Sequence, residues 1–202
     1  MVLAFLKAEI DSERFVEYVL ACVDDVRLIH EPDLTDAFAN ERRRQTLKCY
    51  RGYQSNDRLF AGFPAEVDWC LLAVTIAELA TFRYARVPPW TDGSGVAMLV
   101  RDGASNVMNM PHGPGKGTVL GIEQALHAGS LALGSLQPII ATAESVDGPY
   151  VLLEGHSRAT AYARACGQDE TLDLIVGYST DVSGWAWFNR LPPQAPPTPT
   201  QT

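Results

Sequence analysis

The sequence predicts an α/β (α+β) fold: a small mixed sheet with helices, preceded by a helical N-terminal region. Three observations carry this. Apolar residues recur at helical spacing near the N-terminus, as at Phe15, Val19, Cys22, Val23 and Val26. Residues 138–176 alternate short apolar runs and turns with an Ala-rich helical segment. The 202 residues are 47% apolar and 20% charged, a globular balance with enough material for a sizeable core.

Taken in order, Asp11-Ser12-Glu13 places acids and a capping side chain before the first periodic run, and Pro32 closes it. A second helix is expected over about 35–49, with Thr35 as its cap. Its Arg42-Arg43-Arg44 cluster reads as a solvated face rather than a phosphate patch. Residues 50–66 read as a loop. Trp69–Val74 reads as a short buried strand, although a helix has the same pattern, and Thr75–Leu79 as a helical turn. Val87-Pro88-Pro89-Trp90 and Asp92-Gly93-Ser94-Gly95 break the chain. Met110–Thr118 reads as a Gly/Pro-rich loop before a helix over about 118–128. Pro138–Ala143 and Tyr150–Glu154 read as a hairpin around the turn Asp147-Gly148-Pro149. A helix over 158–165 follows, stopped at Gly167, and then a strand at Leu172–Val176. Trp185, Trp187 and Phe188 read as core. The Pro-rich stretch from Leu191 reads as a disordered tail. The expected boundaries are thus 1–66, 67–190 and 191–202.

Charge narrows the function. The formal net charge is −8, which argues against nucleic acid and anionic membrane as partners. Beyond residue 86 the basic residues are Arg101, Lys116, Arg158, Arg164 and Arg190. These suffice for one nucleotide and not for a duplex. No apolar run reaches the ~18 residues of a spanning helix, and Met1–Lys7 lacks the basic start of a signal peptide. A cytoplasmic protein is expected. Cys22, Cys49, Cys70 and Cys166 form no C-x-x-C pair and are expected to be free thiols in a reducing compartment.

The strongest local signal is Glu154-Gly155-His156-Ser157-Arg158, a tight polar turn between a buried strand and an Ala-rich helix. A helix N-terminus presents unpaired N–H groups and positive dipole. Gly155 allows close backbone approach, and His156, Ser157 and Arg158 add donors, so the turn reads as a phosphate pocket. A merely capped helix would need Ser157 alone. The turn also approximates a nucleophile elbow, but no histidine lies downstream of Ser157, which excludes that triad order. The loop His112-Gly113-Pro114-Gly115-Lys116-Gly117-Thr118 departs from the Walker A spacing but could still cover phosphates through Lys116. His112 and His156 lack a third ligand, so no metal site is assigned.

Glu154–Ala161 resembles the D/E-G-H-H-R-x-x-A turn of the ParB/sulfiredoxin superfamily, with a similar Pro-Ile-Ile strand and hairpin before it. Leu59–Pro64 with Val67-Asp68-Trp69, and Gly177-Tyr178-Ser179 with Trp185, also resemble a bacterial branch of that superfamily. The resemblance spans about 69–190 and is specific only over 138–166. It implies a nucleotide or phosphate cradled at the turn: Gly155 against phosphate, Arg158 binding it bidentately and His156 bonding the transferring group. Glu154 would hold Mg²⁺ or orient a hydroxyl; apart from the resemblance, Ser157 at the turn and, from the count of basic residues, Lys116 and Arg101 are expected as further phosphate contacts. Ser157 replaces the usual second His, and the turn has no Cys for sulfinic-acid repair. The expected function is phosphate transfer from ATP, ADP or another nucleotide, with Mg²⁺, to a small hydroxylated or amino-acid-like metabolite, in the manner of a free-serine kinase. The alternatives are a non-enzymatic nucleotide-responsive module and, third, a ParB-like nuclease. A homodimer is compatible with all three.

Overall fold

The computed structural model describes residues 1–92, 97–111 and 113–188. The expected tail, His112, Arg190 and the Gly93–Gly95 break lie outside them. Within them the fold is mixed α/β: eight α-helices and a five-stranded sheet in the order β1-β5-β3-β4-β2. The strands are β1 (Asp68–Thr75), β2 (Arg83–Tyr84), β3 (Ile140–Ala143), β4 (Val151–Glu154) and β5 (Thr171–Tyr178). β1 runs antiparallel to β5, and β3 antiparallel to β4 as the expected hairpin. β3 lies parallel to β5, and β2 to β4.

Helices cover both faces. α1 (Val2–Ile10), α2 (Val16–Leu20), α3 (Arg27–His30) and α4 (Ala37–Arg51) lie on one side, and α5 (Ile76–Leu79), α6 (Val100–Asn106), α7 (Pro114–His127) and α8 (His156–Ala165) on the other. Alternation along the strands divides the core. Ala141, Leu152, Leu174 and Val176 pack with the second group, while Ile140, Val151, Leu153 and Ile175 pack with Phe5, Leu6 and Ile10 of α1. β3 and β4 are accordingly buried along their length but for Glu154, and Thr142, the one polar residue in β3, donates its hydroxyl to the Gly177 carbonyl at 2.8 Å. The N-terminal helices share a core with the sheet. β1 is a strand as expected but sits at the sheet edge, where Leu71 is 71% exposed.

Several local expectations change. The 15–26 run breaks after α2, because the Asp25 carboxylate accepts the Arg27 N–H at 3.0 Å and starts α3. α1 and α6 were not foreseen. The α4 cap is Asp36, which accepts from the Phe38 and Ala39 N–H groups, and not Thr35. α7 begins at Pro114, so Lys116 lies in a helix and not in a loop. The arginine cluster separates. Arg42 pairs with Asp24 and Arg44 with Glu41, but Arg43 is 2% exposed and donates to the Leu28 and Asp33 carbonyls and Asn40 Oδ1. Cys22 and Cys49 form a disulfide, with Cα atoms 5.8 Å apart, where α2 folds back against α4. This corrects the expectation of four free thiols; Cys70 and Cys166 are free. Trp185 is core, with its indole N–H on the Leu59 carbonyl at 2.6 Å. Among the described residues no helix is long and apolar enough to cross a membrane.

Candidate functional site

The strand–turn–helix forms as expected. β4 ends at Glu154, Gly155 turns the chain at φ +93°, and α8 starts at His156. A Cβ at Gly155 would lie 3.0 Å from Ile139 Cγ1 and 3.1 Å from Arg158 Nη2, so glycine is required by both angle and space. No side chain caps α8, which leaves its first N–H groups without a side-chain acceptor.

Arg158 and Glu154 form a close ion pair, both side chains largely buried. Arg158 Nη2 also reaches the Pro138 carbonyl at 3.4 Å, while its Nε is buried without an acceptor. The turn is not isolated from the N-terminal helices. Glu9 of α1 is buried within electrostatic reach of Glu154, and its pKa is raised chiefly by burial, with Arg51 opposing and the Glu154 charge adding to the rise.

His156 is held on three sides. Its Nε2 accepts the Ala85 N–H at 3.2 Å, which assigns the proton of the neutral ring to Nδ1. The ring stacks with Tyr84 at 5.6 Å and Trp90 at 6.0 Å between centroids. Burial, and then the Arg158 charge, push its pKa down to about 3. It is a neutral hydrogen-bonding group at physiological pH. Thr160 Oγ1 donates to the His156 carbonyl at 2.6 Å and lies 2.7 Å from Tyr84 Oη. The Tyr84 hydroxyl also reaches the Val100 carbonyl at 3.3 Å, so the two hydroxyls share their two protons among one another and the His156 and Val100 carbonyls.

The structure thus gathers Glu154, Gly155, His156, Ser157 and Arg158, but it places the other two candidates elsewhere. Lys116 Nζ donates to the Met108 and Met110 carbonyls at 2.6 and 3.4 Å. Arg101 is exposed beside Asp102. The start of α7 still comes near the turn: a Cβ at Gly115 would lie 3.9 Å from Trp90, the ring stacked on His156. Sequence reasoning missed Tyr84, Trp90, Thr160 and Glu9. Only Trp90, a large aromatic inside a chain break, carried a local signal.

The site fits an anion better than a metal. Among the described residues no three His, Cys, Asp or Glu side chains converge as a metal site. Mg²⁺ could take Glu154 together with phosphate oxygens, the usual sparing arrangement for that ion. Two recesses open on the surface, one of about 550 Å³ between α7 and α8 and one of about 450 Å³ beside α2 and α4; neither is lined by residues 154–158. No known protein family, curated protein or solved structure matches the chain.

Proposed function

We propose that the chain binds the phosphate of a nucleotide at the N-terminus of α8 and transfers it to a small hydroxylated or amino-acid-like metabolite. The observation behind this reading is the uncapped α8 N-terminus beside Arg158, whose buried Nε has no acceptor. Phosphate would replace Glu154 on the guanidinium and meet the first N–H groups of the helix. Glu154, so released, would accept the proton of the substrate hydroxyl. His156, with its proton on Nδ1, would donate a hydrogen bond to the transferring group without itself carrying charge. In the alternative role Glu154 would hold Mg²⁺ with phosphate oxygens, and the ion would neutralise developing charge. A nucleotide-dependent reaction would suit the cytoplasm, whereas the Cys22–Cys49 disulfide is a bond that persists in oxidising compartments.

A second reading has its own observation. Glu154 already pairs with Arg158 through Nη2, and Glu9 lies within the electrostatic reach of Glu154. Phosphate on Arg158 would leave Glu154 unpaired near Glu9, and α1 would feel the repulsion. That is how a nucleotide-responsive module without turnover would act on the N-terminal helices.

The test is a thermal-shift series with ATP, ADP, CTP, GTP and inorganic phosphate, each with Mg²⁺, followed by product analysis. Saturation about a hundredfold above Kd stabilises by ~2.7 kcal/mol, a shift of roughly 5–10 °C. The shift should appear with one nucleotide and vanish in Arg158→Ala. In Glu154→Gln it should persist while turnover falls. A shift without product selects the module, and no shift with any nucleotide overturns both readings.

A further inference from the structure

We infer that the cleft between α2, α4 and the 52–58 loop is a second binding site, for a small ligand in which an aromatic ring carries one anionic group, phosphate or carboxylate. The cleft has a volume of about 450 Å³, and its lining includes Arg14, Phe15, Tyr18, Tyr50, Arg51 and Arg58. Pockets of this size take small organic molecules.

Its chemistry is the reverse of the molecule around it. On a chain of net charge −8, three guanidinium groups face one recess. Arg14 has no carboxylate partner among the described residues; its guanidinium lies over the Phe15 ring at 4.7 Å. Arg58 uses one nitrogen on the Cys49 and Tyr50 carbonyls, at 2.6 and 3.0 Å, and stands 3.6 Å from an exposed Asp57 carboxylate. Arg51 is paired with buried Glu9 at 2.6 Å, yet its Nε is buried without an acceptor. Arg14 is therefore available to an incoming anion, Arg58 is held at the rim by two carbonyls with Asp57 beside it, and Arg51 has a buried donor unused.

The aromatic half is equally specific. Tyr18 is 63% exposed and stacks on Tyr50 at 6.3 Å and 21°. Arg51 lies over both Phe15 and Tyr50, at 4.5 and 4.3 Å. A flat ring entering the cleft meets aromatic faces and guanidinium planes together, while a group such as phosphate or carboxylate reaches Arg14 and Arg58.

The walls are fixed in advance. The disulfide joins Cys22, in the lining, to Cys49, next to Tyr50. Buried Glu9 holds Tyr50 Oη and Arg51, each at 2.6 Å. In the loop that carries Arg58 into the lining, Gln54, Asn56 and Arg58 all have positive φ, between 50° and 59°. Three non-glycine residues held in that region within one short loop are the kind of stored backbone cost that gathers at ligand sites. Preorganisation of this sort lowers the entropy lost on binding.

The experiment is isothermal titration of the full chain with phenyl phosphate, benzoate, cyclohexyl phosphate and inorganic phosphate. Phenyl phosphate or benzoate should bind at one site, and the stronger of the two identifies the anion. Cyclohexyl and inorganic phosphate should bind roughly fivefold or more weakly. Arg14→Ala and Tyr18→Ala change exposed side chains; each should weaken the aryl ligand by roughly five- to tenfold, with the thermal transition unmoved. Arg44→Ala, which removes an arginine outside the cleft, should leave binding unchanged. Equal binding of phenyl and inorganic phosphate overturns the inference. So do aryl binding that survives both Arg14→Ala and Tyr18→Ala, and the absence of heat with every probe at about millimolar concentration.

Discussion

Replacing Gly155 by alanine isolates the backbone requirement of the turn. At φ +93° an L-residue pays about 1–2 kcal/mol for the left-handed region. The new Cβ would also stand 3.0 Å from Ile139 Cγ1 and 3.2 Å from Ile139 Cα. Carbon atoms at rest sit about 3.5–4.0 Å apart, so β3 must give or the turn must open, at a further ~1–2 kcal/mol. The stiffer unfolded chain returns about 0.4–1 kcal/mol. The net loss is about 2–3 kcal/mol, or roughly 5–10 °C of Tm for a chain of this size. Gly129→Ala supplies the control: φ is +68° there, but nothing lies within 4 Å of the new Cβ. It pays the conformational cost alone and should lose only ~2–4 °C. Differential scanning calorimetry of both variants gives the comparison. A Gly155→Ala shift no larger than that of Gly129→Ala would refute the claim that β3 closes on this turn.

Three other perturbations separate interactions the structure distinguishes. His156 has a folded pKa near 3 against 6.5 in the unfolded chain, so the unfolded state binds the extra proton and stability falls as pH drops from 6.5 towards 3. The slope is ~1.4 kcal/mol per pH unit, and His156→Gln should flatten it between pH 6.5 and 5 in denaturation curves. Glu9, raised by burial, acts in the opposite sense: its penalty grows as pH rises from 4.5 through its folded pKa, so the wild-type-minus-variant difference is the quantity to read. Arg43→Ala removes a buried fork from two carbonyls and an amide and should cost ~3 kcal/mol in urea unfolding, whereas Arg44→Ala, an exposed pair, should stay within ~0.5 kcal/mol. Reduction of Cys22–Cys49, which closes 27 residues, should cost about 3–4 kcal/mol; an unmoved transition in dithiothreitol would show the bond constrains nothing.

The sheet half of the fold was legible because its signals are local. Val151–Leu153 is apolar throughout, Gly155 follows, and Ala159, Ala161 and Ala163 set a helix, so strand, turn and helix are each written in adjacent residues. The N-terminal half obeys longer-range rules. The 15–26 periodicity is real, yet Asp25 starts a new helix inside it. α1 buries Phe5, Leu6, Ala8 and Ile10, and its position is set by a sheet about 140 residues further on, so nothing within Met1–Ile10 announces it. Pro114 shows the competition most plainly. A Gly/Pro-rich stretch reads as loop, but proline at the first helical position costs no hydrogen bond, and α7 starts there despite Gly115 and Gly117.

The candidate site divides along the same line. Glu154, Gly155, His156 and Arg158 were readable because one turn carries them. Their state was not, because each is set by a residue far away in sequence. The Ala85 N–H fixes which nitrogen of His156 holds the proton, Tyr84 and Trp90 stack on its ring, and the Glu154 charge is felt by buried Glu9 of α1. Lys116 makes the converse point. Its neighbours in sequence suggested a phosphate loop, but helix geometry turns its ammonium group onto the Met108 and Met110 carbonyls. A lysine bound to carbonyl oxygens keeps its charge and loses its reach. The proposed phosphate chemistry would therefore depend on Arg158 alone among Arg101, Lys116 and Arg158, and Arg158 would first have to exchange its carboxylate partner.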